Sequence, residues 1–294
     1  VRYTPDDGNV RGIVQIVHGM AEYVERYENL AEFLTKRGIL VTGEDHLGHG
    51  KSVSEGGSFG YFCEQDPATV VVRDVHRLKK ITEEQYPQVP YIILGHSMGS
   101  FIARNYLCRY GSGIGGAVIV GTGMQPAGLI FASKAMAGIQ KLFCGSKHVS
   151  HFIDKAAFGG YNKRIDSPRT SSDWLSRNTE NVDRYIEDEL CGFTFTVNGF
   201  QTLFELIRRL QKQENLEKVP QNLPILMVSG AEDPVGDYGK GVHKACDSLK
   251  RAGVKNITVK LYENDRHELL NEDDAEVAME DIWQWICKEI PGIA

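Results

Sequence analysis

Residues 91–100, Tyr-Ile-Ile-Leu-Gly-His-Ser-Met-Gly-Ser, constrain the fold of this chain more than any other stretch. A short apolar run with β-branched residues meets a serine bracketed by Gly95 and Gly99, and a helical pattern of Phe101, Ile102, Tyr106 and Leu107 begins at once. Strand, tight turn and helix around Gly-x-Ser-x-Gly describe a nucleophile elbow, in which the serine is held in a strained backbone conformation with Oγ exposed above a sheet. The two glycines suit the close approach of strand and helix, where a Cβ would clash. A five-residue pattern with three fixed positions recurs by chance, so the flanking strand and helix carry the reading.

An elbow needs a sheet around it, and the chain supplies one. Residues 12–17 read as a buried strand followed by a turn at His18-Gly19-Met20. Leu30, Phe33 and Leu34 have helical spacing within 27–37, and a second strand covers 39–42. A helix is expected over 68–85, then the elbow strand, then a short strand over 117–120. From 122 to 223 the rhythm changes: no clear buried strand is visible, and helix-like pieces fall at 129–143 and 199–213. Alternation returns with strands at 224–229 and 257–262 and helices at 239–252 and 275–290. The expected class is α/β, a mostly parallel sheet with helices on both faces and an inserted, mainly helical cap. The core would comprise residues 1–121 and 224–294, and the cap residues 122–223. The insertion enters near the carboxyl ends of the strands, where such sheets bind ligands.

Composition narrows the function. The 294 residues carry a net charge of −6 with scattered lysines and arginines, which argues against nucleic acid, since phosphate binding needs a concentrated basic face. The six cysteines form no Cys-x-x-Cys pair, so neither a zinc site nor a disulfide framework is indicated. Free thiols fit a reducing compartment, and with no signal peptide or long apolar span a cytoplasmic location is expected. The chain begins at Val1, so a trimmed leader is an open expectation. Residues 127–143 carry Leu129, Ala132, Met136, Ile139 and Phe143 at spacings of three and four, an amphipathic helix that packs within the cap or touches lipid.

A serine hydroxyl needs a base, and the base needs an orienting acid. Hydrolases built on an elbow of this kind carry serine, acid and histidine in that chain order. Here Asp233 follows the strand at 224–229, and His267 follows the next strand. Glu232 and Asp265 are rival carboxylates, and His243 is a rival base. The oxyanion of the tetrahedral intermediate calls for backbone N–H donors, expected from Met98, just after the nucleophile, and Met20, in the turn after the first clear strand. His46 and His49 lie in a glycine-rich loop without a third ligand at helpful spacing, so a shaped loop with satisfied polar side chains is expected rather than a metal site. His148 and His151 form a similar pair. No metal and no cofactor are expected.

In combination these motifs resemble the α/β-hydrolase fold, and within it the monoacylglycerol lipase and lysophospholipase group of serine aminopeptidase-like hydrolases. The resemblance rests on His18-Gly19, Asp45-His46-x-Gly48-His49-Gly50-x-Ser52, the Gly95-His96-Ser97-Met98-Gly99 elbow, the Ser229-Gly230-x-x-Asp233-Pro234-Val235-Gly236 loop and Arg266-His267-Glu268. It implies Ser97, Asp233 and His267 as a triad, Met20 and Met98 as oxyanion amides, and a cap over a hydrophobic acyl pocket. One departure is visible: the family often has Glu-His after the oxyanion turn, whereas Glu22 is followed here by Tyr23.

The expected activity is hydrolysis of single-chain lipid esters through an acyl-enzyme, with transient membrane or micelle contact through the cap. An aminopeptidase or thioesterase on the same triad is the alternative, with Glu180, Asp183, Glu187, Asp188 and Glu189 as candidate holders of a substrate amine. A non-catalytic binding protein is the third reading, disfavoured because every catalytic position is filled.

Overall fold

The computed structural model describes residues 1–293. Seven strands form one sheet in the order β1-β3-β2-β4-β5-β6-β7: β1 (Arg2–Tyr3), β2 (Gly12–Val17), β3 (Ile39–Gly43), β4 (Tyr91–His96), β5 (Gly116–Val120), β6 (Ile225–Gly230) and β7 (Ile257–Tyr262). Every pairing is parallel except the two-residue β1, which runs antiparallel on β3 and was too short to read from sequence.

The helices are α1 (Glu28–Thr35), α2 (Pro67–Gln85), α3 (Met98–Tyr110), α4 (Ala127–Cys144), α5 (His151–Phe158), α6 (Thr179–Glu187), α7 (Val197–Leu210), α8 (Gln213–Leu216), α9 (Lys240–Arg251) and α10 (Ala275–Glu289). Strand residues alternate between the two faces, as the two-residue period requires. Val14, Ile16, Ile92 and Leu94 meet α1 and α10, whereas Ile13, Val17 and Ile93 meet α2, α3 and α9. Burial on both faces is why these strands read as continuous apolar runs.

The expected elements fall within a few residues of those observed. Residues 121–224 contribute α4 to α8 and no strand of the sheet. They do not hold a separate core. Phe200, Leu203, Phe204 and Leu206 of α7 join the same apolar cluster as α2 and α3, and α7 also packs on α4. The helix over 127–143 forms, and only part of the expected stripe faces inward. Ile130 and Ala137 are its buried positions, while Leu129, Ile139 and Phe143 of the expected stripe are exposed. Leu129, Ala132 and Met136 of that stripe line the cavity described below, while packing on α7 buries Ile130 and Ala137 one residue along.

Candidate active site

β4 runs straight into the tight turn at Ser97, which has φ 54° and ψ −121° and stands immediately before α3. A non-glycine residue in that region is strained, and the surrounding packing holds it there. Both glycines of the motif are sterically required. A Cβ on Gly95 would lie 2.4 Å from Gly99 O, and one on Gly99 would lie 1.9 Å from Val17 O.

The loops after β6 and β7 bring Asp233 and His267 together. His267 Nδ1 donates to Asp233 Oδ2 at 2.9 Å, and Asp233 also accepts from Ser229 Oγ at 3.2 Å and from the Val235 amide at 2.8 Å. Both residues are buried. Gly230 lets the loops cross, since a Cβ there would meet the carbonyl oxygens of Asp265 and Arg266 at 2.1 and 2.2 Å. The rival groups lie elsewhere. Asp265 pairs with Arg177 at 2.6 Å, and burial, with Asp274 and Glu272 nearby, pushes its pKa up to about 6. Glu232 and His243 are exposed.

Ser97 and His267 line one cavity, without a hydrogen bond between Oγ and the imidazole. Such bonds are often long before substrate is engaged and tighten in the complex. The turn after β2 lies against the serine, because a Cβ on Gly19 would stand 3.1 Å from Ser97 Cβ. Met20 and Met98 line the same cavity. Among the described residues neither amide has an acceptor, as expected for Met98 in the first turn of α3.

Beneath this surface lies a buried polar network that the sequence reading missed. The Glu22 carboxylate accepts from the Gly19 amide (2.5 Å), Tyr27 Oη (2.8 Å) and Arg26 (3.0 Å). Arg26 also grips both oxygens of Glu268 at 2.7 and 2.8 Å, and Asn181 Nδ2 donates to Glu268 at 2.6 Å. His96 Nε2 donates to the His267 carbonyl at 3.1 Å while Nδ1 faces Tyr27 Oη and Glu22. Burial pulls the His96 pKa down, but the hydrogen bond and charge of Glu22 outweigh it and the net shift is upward. Burial likewise works against ionised Glu22, yet His96 and Arg26 hold its pKa well below the ordinary carboxylate range. Tyr23, the departure from the family pattern, donates to Asp188 Oδ2 at 2.7 Å instead of joining this network.

The glycine-rich loop departs from expectation. His46 Nδ1 and His49 Nε2 are buried without a partner, so its polar side chains are only partly satisfied. His18, read from the sequence only as part of the oxyanion turn, joins this loop, its ring 4.1 Å from that of His46 and 5.2 Å from that of His49. Burial lowers all three, to about 4 for His46 and about 3 for His49, which keeps the rings neutral. No group of three or more His, Cys, Asp or Glu among the described residues has the geometry of a metal site. His148 and His151 are exposed.

The cavity over Ser97 has a volume of about 640 Å³. Ile130, Met136, Phe158, Phe204 and Ile207 of the inserted segment give it apolar walls, and Trp174 lies at its edge with its ring 5.1 Å from that of His267. The five acidic residues over 180–189 are absent from its lining, whereas Glu22, Asp154 and Glu268 contribute to it. No helix among the described residues is long and apolar enough to cross a membrane.

A family model described as "Serine aminopeptidase, S33" matches residues 8–274. Monoglyceride lipase of Rattus norvegicus is 29% identical over 92% of this chain and 80% of its own length. Monoacylglycerol lipase of Mycolicibacterium smegmatis is 27% identical over 98% of this chain and 92% of its own. Among solved structures, a highly thermostable carboxyl esterase from Bacillus coagulans in complex with glycerol superposes with a TM-score of 0.91 at 31% identity, covering 100% of this chain and 93% of that one.

Proposed function

Because the chain belongs to the serine aminopeptidase, S33, family of α/β-hydrolases and is a carboxylic ester hydrolase, we propose that it cleaves single-chain lipid esters, of the monoacylglycerol or lysophospholipid kind, through an acyl-enzyme. Ser97 Oγ attacks the ester carbonyl, His267 takes its proton and returns it to the leaving alcohol, and Asp233 orients the imidazole through the 2.9 Å bond to Nδ1. The Met20 and Met98 amides stabilise the oxyanion, each contributing about 3 kcal/mol. Water then releases the acyl group by the same route in reverse.

The observation that carries this reading is the apolar cavity, whose walls on the side away from the sheet come from the insertion and which opens on Ser97 and His267. Residues 122–223 act as the cap, over a core made of residues 1–121 and 224–294. The relatives named as monoglyceride and monoacylglycerol lipases support the same substrate class. An aminopeptidase reading lacks comparable support. Asp183 pairs with Arg169 and Asp188 with Tyr23, and the cavity carboxylates Glu22 and Glu268 are held by Arg26. Burial also raises the pKa of Asp154, the remaining one.

The test is a p-nitrophenyl ester series from acetyl to palmitoyl, run on the intact protein beside Ser97→Ala, with aminoacyl amides in parallel. Turnover that peaks at medium or long chains and disappears in the variant is expected. Retained activity in the variant overturns the mechanism, and a preference for acetyl esters or for amides overturns the substrate class.

A further inference from the structure

His267 sits in a loop that belongs to neither strand nor helix, and a general base must be held to a fraction of an ångström. The two amides that flank it are both satisfied by groups tied to the inserted segment. The Glu268 amide donates to Leu175 O at 2.7 Å. The Arg266 amide donates to Glu272 Oε1 at 2.8 Å, while Glu272 Oε2 accepts from Ser176 Oγ at 2.7 Å and from the Arg177 amide at 2.8 Å. In return, the Arg266 guanidinium donates to the carbonyls of Asp173 and Ser176 at 2.7 and 3.0 Å.

Glu272 is only 4% exposed, so these charge-assisted bonds are shielded from water. Neither Glu272 nor Ser176 lines the substrate cavity. Their reach to the chemistry runs through the backbone on either side of the base.

We propose that residues 173–178 form a strap, pinned by Glu272, that positions His267, with Glu272 and Ser176 as positioning residues that set turnover without contacting substrate. This rests on the triad reading above. The strap makes part of the cap a fixed component of the catalytic machinery. Any motion that admits lipid must then come from other parts of the insertion.

Ser176→Ala and Glu272→Gln test this against wild type on p-nitrophenyl butyrate and decanoate. A displaced base lowers kcat for both esters alike by about ten- to a hundredfold, with KM unchanged. The downfield proton signal of the His267 Nδ1–H to Asp233 bond broadens in both variants. Wild-type kcat with a sharp signal overturns the proposal, as does a loss confined to decanoate with a raised KM, which would assign the strap to the acyl wall. Ser176→Ala removes one hydroxyl and decides the matter alone if Glu272→Gln fails to fold. Ser97→Ala run alongside separates the two readings: activity surviving there fails the triad, whereas its loss beside unaffected strap variants fails the strap only.

Discussion

His49 is boxed by Phe62, Phe193 and Phe195 at ring distances of 5.3 to 5.4 Å, with only Nδ1 engaged, on Leu47 O. Burial lowers its pKa to about 3 from an ordinary 6.5. Between those values the unfolded chain binds a proton that the folded chain refuses, so stability falls as pH drops through this window, by about 1.4 kcal/mol per unit for each such histidine. His49→Phe deletes the group while keeping an aromatic ring. The difference in unfolding free energy between wild type and variant should move against wild type as pH falls from 6.5 to 4 in urea titrations; a constant difference would mean that His49 ionises while folded. The proposed catalytic residues were legible because each follows a strand within a few positions, β4 and β6 buried throughout and β7 at the edge of the sheet. The pairing of Arg26 with Glu268 was not, since the two are 242 residues apart in the chain. Periodicity carries no information about such a pair, and only folding brings them together.

At the scale of elements, α4 is the part of the molecule whose exterior least resembles a protein surface. Phe131, Leu142 and Phe143 are 77 to 85% exposed, and Phe152 at the start of α5 adds a further apolar ring. Contiguous apolar surface of this kind marks an interaction site. Lys141 lies in the last turn of α4 and Lys147 just beyond it, cations that suit an anionic lipid surface. Phe131→Ser, Leu142→Ser and Phe143→Ser combined should abolish cosedimentation with phosphatidylglycerol vesicles and leave hydrolysis of short soluble esters intact. Undiminished vesicle binding would rule α4 out as the site of the expected lipid contact. The helix itself was readable from its period. Its inward face was only partly so: Leu129, Ala132 and Met136 do face the cavity, but burial of Ile130 and Ala137 depends on α7, a packing partner distant in the chain. α5 and α6, of eight and nine residues, also escaped, although the equally short α1 was readable from Leu30, Phe33 and Leu34.

For the whole molecule, the proposed division into core and cap concerns access to the cavity, whereas packing follows a different boundary. The chain enters the insertion after β5 and returns at β6, two neighbouring parallel strands, so the sheet closes without it. Yet Phe195, Phe200 and Leu206 are fully buried in the cluster that also holds Ile13, Ile93 and Ile119 of the sheet. Removing α7 would uncover α3, the helix that begins at the elbow, at about 25 cal/mol for each Å² of apolar surface returned to water. The strap over 173–178 adds buried polar ties on the far side of His267. With an apolar cluster shared between insertion and sheet and such cross-links, the two should unfold in a single transition, with calorimetric and van't Hoff enthalpies in a ratio close to one. Two resolved transitions, or loss of ester hydrolysis well below the main unfolding temperature, would mean that the insertion melts on its own. A single transition would leave entry of the proposed lipid substrate to a local opening within the insertion, outside residues 173–178.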